Sequence, residues 1–243
     1  MANCLVTKLK EVVNNSNLPI LGEYAMLEVT TEGLGVTLRV KNYDESDVEL
    51  RCDENGRFSN GQKTITLHGE GTLVETLSSI NTKTVIYIKN IEKLEILVNE
   101  ESRSGTGVGW GYKDLSNLQY LSRIKKLGFR NGYSDINSFK DLTTLEWLKA
   151  DKSNCGGELS SLAELTNLTS LGLLDTSVAG SVDDFAQAQI ANGRTSGQLR
   201  VYGNNKITYP NNGESTIIPR NKYVIITYNS ALPDGYSIST PLL

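Results

Sequence analysis

Residues 139–148, FKDLTTLEWL, and residues 162–171, LAELTNLTSL, carry the pattern that decides the fold. In the first, apolar side chains stand three apart at Phe139, Leu142, Leu145 and Leu148. In the second they stand at Leu162, Leu165, Leu168 and Leu171, a shift of 23 residues. The same comb occurs upstream at Leu118, Leu121, Ile124 and Leu127. Each comb ends in a Leu-x-apolar step, Leu127 with Phe129, Leu148 with Ala150 and Leu171 with Leu173, which is the period-two alternation of a short strand. A fourth, degenerate copy reads Val85, Ile88, Ile91, Leu94, Ile96.

The periodicity continues beyond the strands. Thr176, Val178, Gly180 and Val182 align with Ser153, Cys155, Gly157 and Leu159 at the same offset, and in the earlier copy Ile136 takes the place of Leu159. Over residues 85–202 the pattern LxxLxxLxLxxTxVxGxV resembles the leucine-rich repeat, in a short bacterial-type array of 21–23-residue units. Two features depart from the usual form. Ser153 and Thr176 stand where an Asn is expected at the strand end, and a long insert separates the first two copies. The resemblance implies a solenoid, α/β or mainly β, in which the strands build a parallel sheet and the leucines point into a shared interior. One unit cannot cover its own apolar comb, so stacking is what makes such a chain fold.

The flanks have a different texture. Segments of residues 1–84 such as YAMLEVTT, GVTLRVKNY, DVELRC and KTITLHG alternate apolar and polar residues and are broken by turn formers. They predict a small N-terminal β unit that caps the array. Residues 203–243, with a strand candidate at 223–228, are the expected C-terminal β cap, and residues 185–199 hold a decaying comb of Phe185, Ala188 and Ala191.

Composition narrows the function classes. The chain has 243 residues, 38% hydrophobic and 21% charged, with a net charge of -4, which suits a folded chain with an apolar core. No run of five Lys or Arg exists to neutralise a phosphate backbone, so nucleic acid is not an expected partner. No stretch approaches the roughly 18 apolar residues that span a bilayer. The opening MANCLVTKLKEVVNN lacks the apolar run of a secretory signal, which gives a cytoplasmic expectation, with a surface or virion location reached by another route as the alternative. Cys4, Cys52 and Cys155 are widely spaced thiols without a CxxC pair, and Cys155 aligns with Val178 as a small core residue.

The chemical motifs read as scaffold. His68 is the single histidine, read as a polar surface residue on a strand, and nothing around it forms a nucleophile elbow. Residues 151–158, DKSNCGGE, place Cys155 where a calcium loop needs oxygen. Residues 105–111, GTGVGWG, do not open a helix as a dinucleotide loop must, and read as an insert that lengthens one repeat. No catalytic residue, cofactor or metal is therefore expected, and the chain reads as a non-enzymatic binding module.

Given the repeat resemblance, strand residues between the core leucines form columns on the concave face. One column is expected to contain Glu95, Gly128, Lys149, Gly172 and Arg200, and its neighbour Leu97, Arg130, Asp151, Leu174 and Tyr202. With Trp110 and Tyr112 from the 105–112 loop, Glu95, Leu97, Arg130, Lys149, Asp151, Leu174, Arg200 and Tyr202 are the expected partner-binding residues. Tyr and Arg are common anchors of protein interfaces, so the expected partner is a protein, with a glycan as a further option. A structural or adhesive component of a phage particle or bacterial surface is the alternative function.

Overall fold

The computed structural model describes residues 24–30, 36–42, 47–78, 84–100, 111–112, 121–128, 135–150, 155–220 and 222–239. The fold is mostly β. Its first strands are β1 (Tyr24–Thr30), β2 (Val36–Asn42), β3 (Val48–Cys52), β4 (Arg57–Phe58), β5 (Thr64–Leu67), β6 (Gly71–Ser78), β7 (Thr84–Lys89) and β8 (Leu94–Glu100). Short strands follow at β9 (Gly111–Tyr112), β10 (Lys126–Gly128), β11 (Trp147–Lys149), β12 (Gly156–Glu158), β13 (Ser170–Gly172) and β14 (Ser177–Ser181). After α1 (Val182–Ala191), the one α-helix among the described residues, come β15 (Ser196–Tyr202), β16 (Ile207–Asn211), β17 (Glu214–Ile217), β18 (Tyr223–Asn229) and β19 (Tyr236–Ser239). No helix among the described residues is long and apolar enough to cross a membrane.

The central feature is a ten-stranded sheet of order β19-β18-β15-β13-β11-β10-β8-β2-β6-β4. From β8 to β15 neighbouring strands are parallel, with Leu97 opposite Leu127, Leu127 opposite Leu148, Leu148 opposite Leu171 and Leu171 opposite Val201. Antiparallel partners flank this ladder, Val40 of β2 facing Leu97 and Val224 of β18 facing Val201. One row of apolar residues thus crosses seven strands, and all seven side chains are fully buried. At about 1.5–3 kcal/mol per buried aliphatic side chain, this row supplies much of the drive to stack the strands.

Outside the strands, the comb residues Leu121, Ile124, Leu145, Leu165 and Leu168 also turn inward and have no exposed surface. The threonines and asparagine between them bond to the preceding segment. Thr144 Oγ1 donates to the Ile124 carbonyl at 2.8 Å, Thr169 Oγ1 to that of Glu146 at 2.9 Å, and Asn167 Nδ2 to that of Thr143 at 2.8 Å. The chain then crosses to a four-stranded sheet, β12-β14-β16-β17, and returns. Cys155 and Val178 enter that crossing fully buried, matching their alignment as core positions. A third sheet, β5-β3-β7-β1-β9, gathers the early strands that the ten-stranded sheet does not hold.

Two registers differ from the expected ones. The degenerate first copy was expected to place Leu94 and Ile96 inward and Leu97 on display, yet it is Leu97 that pairs with Leu127 and is buried. The cause is a bulge: Lys41 pairs with Ile96 and Asn42 with Leu94, so Glu95 is an extra residue that inverts the alternation after Leu94. The second difference is a shift of two. Arg200 pairs with Ser170 rather than standing beside Gly172, because the segment before it forms α1 and a turn. Ser181 caps that helix, accepting from the Asp183 and Asp184 amides, and Gly193 at φ 93° ends it.

Candidate functional site

Side chains that flank the buried row point away from the core, and the register sorts them into two rows. Ile96, Lys126, Trp147, Ser170 and Arg200 form one; Val98, Gly128, Lys149 and Gly172 form the other, which Tyr202 continues beside Gly172. Over β13 these rows leave a cavity of about 340 Å³, lined by Trp147, Lys149, Ser170, Gly172, Leu174, Tyr202 and Gly203. It exists because β13 offers only a hydroxymethyl group and a hydrogen outward, while β11 and β15 on either side raise Trp147 and Tyr202.

Both aromatic walls are braced from behind. Trp147 leans onto Gly128, where a Cβ would lie 2.8 Å from Cζ3 of the indole and 3.2 Å from Cγ1 of Val98. Gly128 is therefore a seat for the ring, and any larger residue would lift it. Tyr202 packs against Tyr223 of β18 with ring centroids 5.1 Å apart at 46°, within the range of favourable aromatic pairs. The Arg200 guanidinium lies 5.8 Å from the Tyr223 ring centroid.

The end of the cavity where the strands exit is fixed by polar contacts. Thr176 Oγ1 donates to the Leu173 carbonyl at 2.9 Å, holding the turn that presents Leu174. Buried Asn204 donates to the Val178 carbonyl at 2.9 Å and to Thr176 Oγ1 at 3.1 Å, and accepts from the Lys206 and Ile207 amides at 2.7 and 3.0 Å. A buried carboxamide so fully satisfied rigidifies the turn beside it. Gly203 approaches the backbone of Ile218 so closely that a Cβ would lie 2.6 Å from its carbonyl oxygen. Lys149 is the one charged side chain among the described lining residues.

The structure brings Lys149, Leu174 and Tyr202 together at the cavity and places Arg200 on the adjoining strand, at the level of Ser170. Glu95 sits at the bulge of β8, its carboxylate 3.5 Å from Lys125 Nζ and two strands removed from β11. Leu97 is corrected from a display residue to a core residue. Tyr112 lies in β9, whose backbone pairs with β1 in the five-stranded sheet. Arg130, Asp151 and Trp110 fall outside the described residues. Trp147, Ser170 and Tyr223 were not among the expected site residues. Their signal is the alternation itself: in EWLKA the residues on both sides of Leu148 must face outward, Trp147 as much as Lys149.

Other chemistry is sparse. Among the described residues no group of three His, Cys, Asp or Glu side chains is placed to hold a metal ion. His68 is an exposed residue 3.1 Å from Asp47. Cys52 is buried, and burial with the neighbouring Asp53 pushes its thiol up to about 12, so it stays protonated.

The chain matches no protein-family profile and no curated protein sequence. Among solved structures it is similar to internalin C2 from Listeria monocytogenes, at 19% identity and a TM-score of 0.33, over 50% of this chain and 46% of that one. It is also similar to an internalin, InlF, from the same species, at 15% identity and a TM-score of 0.25, over 40% of this chain and 32% of that one. The similarity thus spans less than half the length of either internalin.

Proposed function

We propose that this chain is a non-enzymatic binding module built as a leucine-rich-repeat solenoid, and that the cavity over β13 is where a protein partner makes contact. One observation carries the reading: on the outward face of the parallel ladder, a strand with almost no side chain of its own lies between a braced tryptophan and a braced tyrosine. Rigid aromatic side chains around a depression lose little conformational entropy on binding and are the usual anchors of protein interfaces. The buried row behind them holds the strands in register, so the walls keep their spacing without a ligand.

The test is affinity capture from the native source with the intact chain and with the Tyr202→Ala variant in parallel, both shown by thermal melt to be folded. A species recovered by the intact chain and lost, or bound at least about 30-fold more weakly, by the variant supports the cavity as the contact. Equal recovery of that species by both proteins overturns it.

A further inference from the structure

The ten-stranded sheet ends in two unlike strands. At one end β4 is two residues long, with Phe58 fully buried and exposed Arg57 placing a charge on the edge. Short edges and charged edges both guard a sheet against pairing with another chain. At the other end, among the described residues, stands β19, four residues long, and its sequence YSIS carries no charge. The apolar core runs on into this strand, since Leu199 lies opposite Ile226 and Ile226 opposite Ile238. Leu199 and Ile226 are fully buried, whereas Ile238 and Tyr236 pack against the core and are half-buried. The cover over the core therefore thins at β19.

The ladder fixes which backbone groups of β19 face outward. At the mouth of the β18–β19 hairpin the Asn229 N–H donates to the Gly235 carbonyl at 2.8 Å. Bonded pairs recur at every second residue of an antiparallel ladder, so Thr227 with Ser237 and Ile225 with Ser239 are the bonded pairs that follow. Tyr236 and Ile238 then turn their N–H and C=O groups away from β18, toward the sheet edge. The same two residues carry the half-buried side chains, while Ser237 and Ser239 are exposed on the opposite face. Tyr236 is fixed from α1: its hydroxyl donates to Asp183 and accepts from Gln187 Nε2 at 3.3 Å.

A strand of this kind is its own complement. Turned about a two-fold axis through Ser237 and normal to the sheet, a second β19 sets its Tyr236 opposite Ile238 of the first and its Ile238 opposite Tyr236. Each of these pairs exchanges two backbone hydrogen bonds and joins an aromatic to a β-branched side chain, a favourable cross-strand combination. An edge charge would meet its own copy across such an axis, and YSIS has none. We infer that β19 is a self-association edge: a second copy of this chain pairs with it antiparallel, in register about Ser237, and joins two ten-stranded sheets into one. A contact of this symmetry closes at two copies. Four strand residues a side are few beside the roughly 20–30 of a standard interface, so the pair is weak and depends on concentration. Because the axis is normal to the sheet, both cavities over β13 open on one side, seven strand spacings or about 34 Å apart along it.

The test is sedimentation equilibrium of the full chain from about 5 to about 300 μM, over which it should pass from monomer toward dimer. Ser237→Lys alters an exposed side chain and sets like charges opposite each other at the axis, and should raise the dissociation constant by at least about 10-fold. Ser237→Cys reads the register directly and keeps the test valid if the lysine variant misfolds. Its Cα atoms would stand about 4.5 Å apart across the axis, within disulfide reach. Those of Ser239→Cys would stand about 14 Å apart, beyond it. Mild oxidation should cross-link Ser237→Cys into a reducible dimer well above the level of Ser239→Cys and of the intact chain. An intact chain still monomeric at about 300 μM overturns the inference. Dimerisation equal in Ser237→Lys, or cross-linking no greater at 237 than at 239, overturns it too, because the copies would then meet on another surface.

Discussion

The parallel ladder has two ends, and each is closed by an antiparallel strand, yet the two closures differ in chemistry. At the β8 end, β2 lays Val40 over Leu97, with Leu94, Ile91 and Ile88 buried nearby: the closure is apolar. At the β15 end, Val224 and Ile226 of β18 continue the core, and beside them lies a buried polar cluster. Gln189 accepts from Arg194 Nη1 at 3.0 Å and from the Tyr228 hydroxyl, and donates to the Leu165 carbonyl at 2.9 Å. The Arg194 guanidinium stacks 4.1 Å from the centroid of the Tyr228 ring. A strand edge exposed at either end would be an aggregation template, so both must be covered. What differs is how specific the cover is. Apolar contacts tolerate small adjustments, whereas the polar cluster closes only when α1, the turn after it and β18 all meet at Gln189.

The largest expected effect separates the observed β8 register from the expected one. Leu97→Ala should cost about 3 kcal/mol in guanidinium unfolding, within the 2–5 kcal/mol of buried leucine truncations, while Glu95→Ala costs less than about 0.5 kcal/mol. Equal small losses would return Leu97 to the surface and remove the apolar closure. Next comes the polar end. Gln189→Leu strands the Leu165 carbonyl, the Tyr228 hydroxyl and the Arg194 guanidinium together, and should cost about 2.5 kcal/mol. Arg194→Met should cost less, since it also removes a buried charge whose Nε has no partner. If Gln189→Leu is neutral, the two ends are alike and the contrast is lost.

The sequence exposes this contrast only in part. Leu127, Leu148 and Leu171 were legible as a row because the copies that hold them are spaced alike and period-two alternation then fixes which side chains turn inward. Leu97 was not. A single extra residue in β8 reverses parity, and whether a bulge forms depends on pairing with β2, a strand more than fifty residues earlier whose contact no local pattern records. The helix α1 hid in the decaying comb for a related reason: Phe185 keeps the inward position, but the segment changes rise per residue, which moves Arg200 to the level of Ser170. At the cavity, Lys149, Leu174 and Tyr202 could be named from the columns. Ser170 and Gly172 could be ranked as floor only once β11 and β15 were known to bracket them, because a missing side chain is a site only in relation to its neighbours.

The β15 end and the five-stranded sheet each carry a group that responds to alkali. Burial holds the Tyr228 hydroxyl above its ordinary value near 10, and holds Cys52, in β3 of the five-stranded sheet, above its ordinary value near 9. For each, the folded chain keeps a proton that the unfolded chain releases. The stabilisation is complete below the unfolded value and declines as pH rises through it. Loss of stability should therefore begin near pH 9 from Cys52 and gain a second component near pH 10 from Tyr228. Tyr228→Phe should cost about 1 kcal/mol at neutral pH, for one lost hydrogen bond, and shrink the second component in a series of denaturation midpoints, leaving the share of Tyr87 and Tyr236, which burial also raises. Cys52→Val should remove the first. A wild-type profile flat to pH 11 would mean that neither group is protonated by burial.

The smallest effect is expected where the geometry looks strongest. Arg220 reaches from the turn before β18 to Asp175, beside the cavity, with an N···O distance of 2.6 Å. By distance alone this is a tight pair that ties the second closure to the turn beside the cavity. Exposure decides otherwise. The Arg220 side chain is 65% exposed, so water screens the attraction and ordering a long side chain offsets much of the remainder. Arg220→Ala should shift stability by less than about 0.5 kcal/mol, with the difference vanishing at high salt. A loss above about 1.5 kcal/mol that persists in salt would show that the turn is held by this pair, and that the β15 end depends on surface charge as well as on its buried cluster.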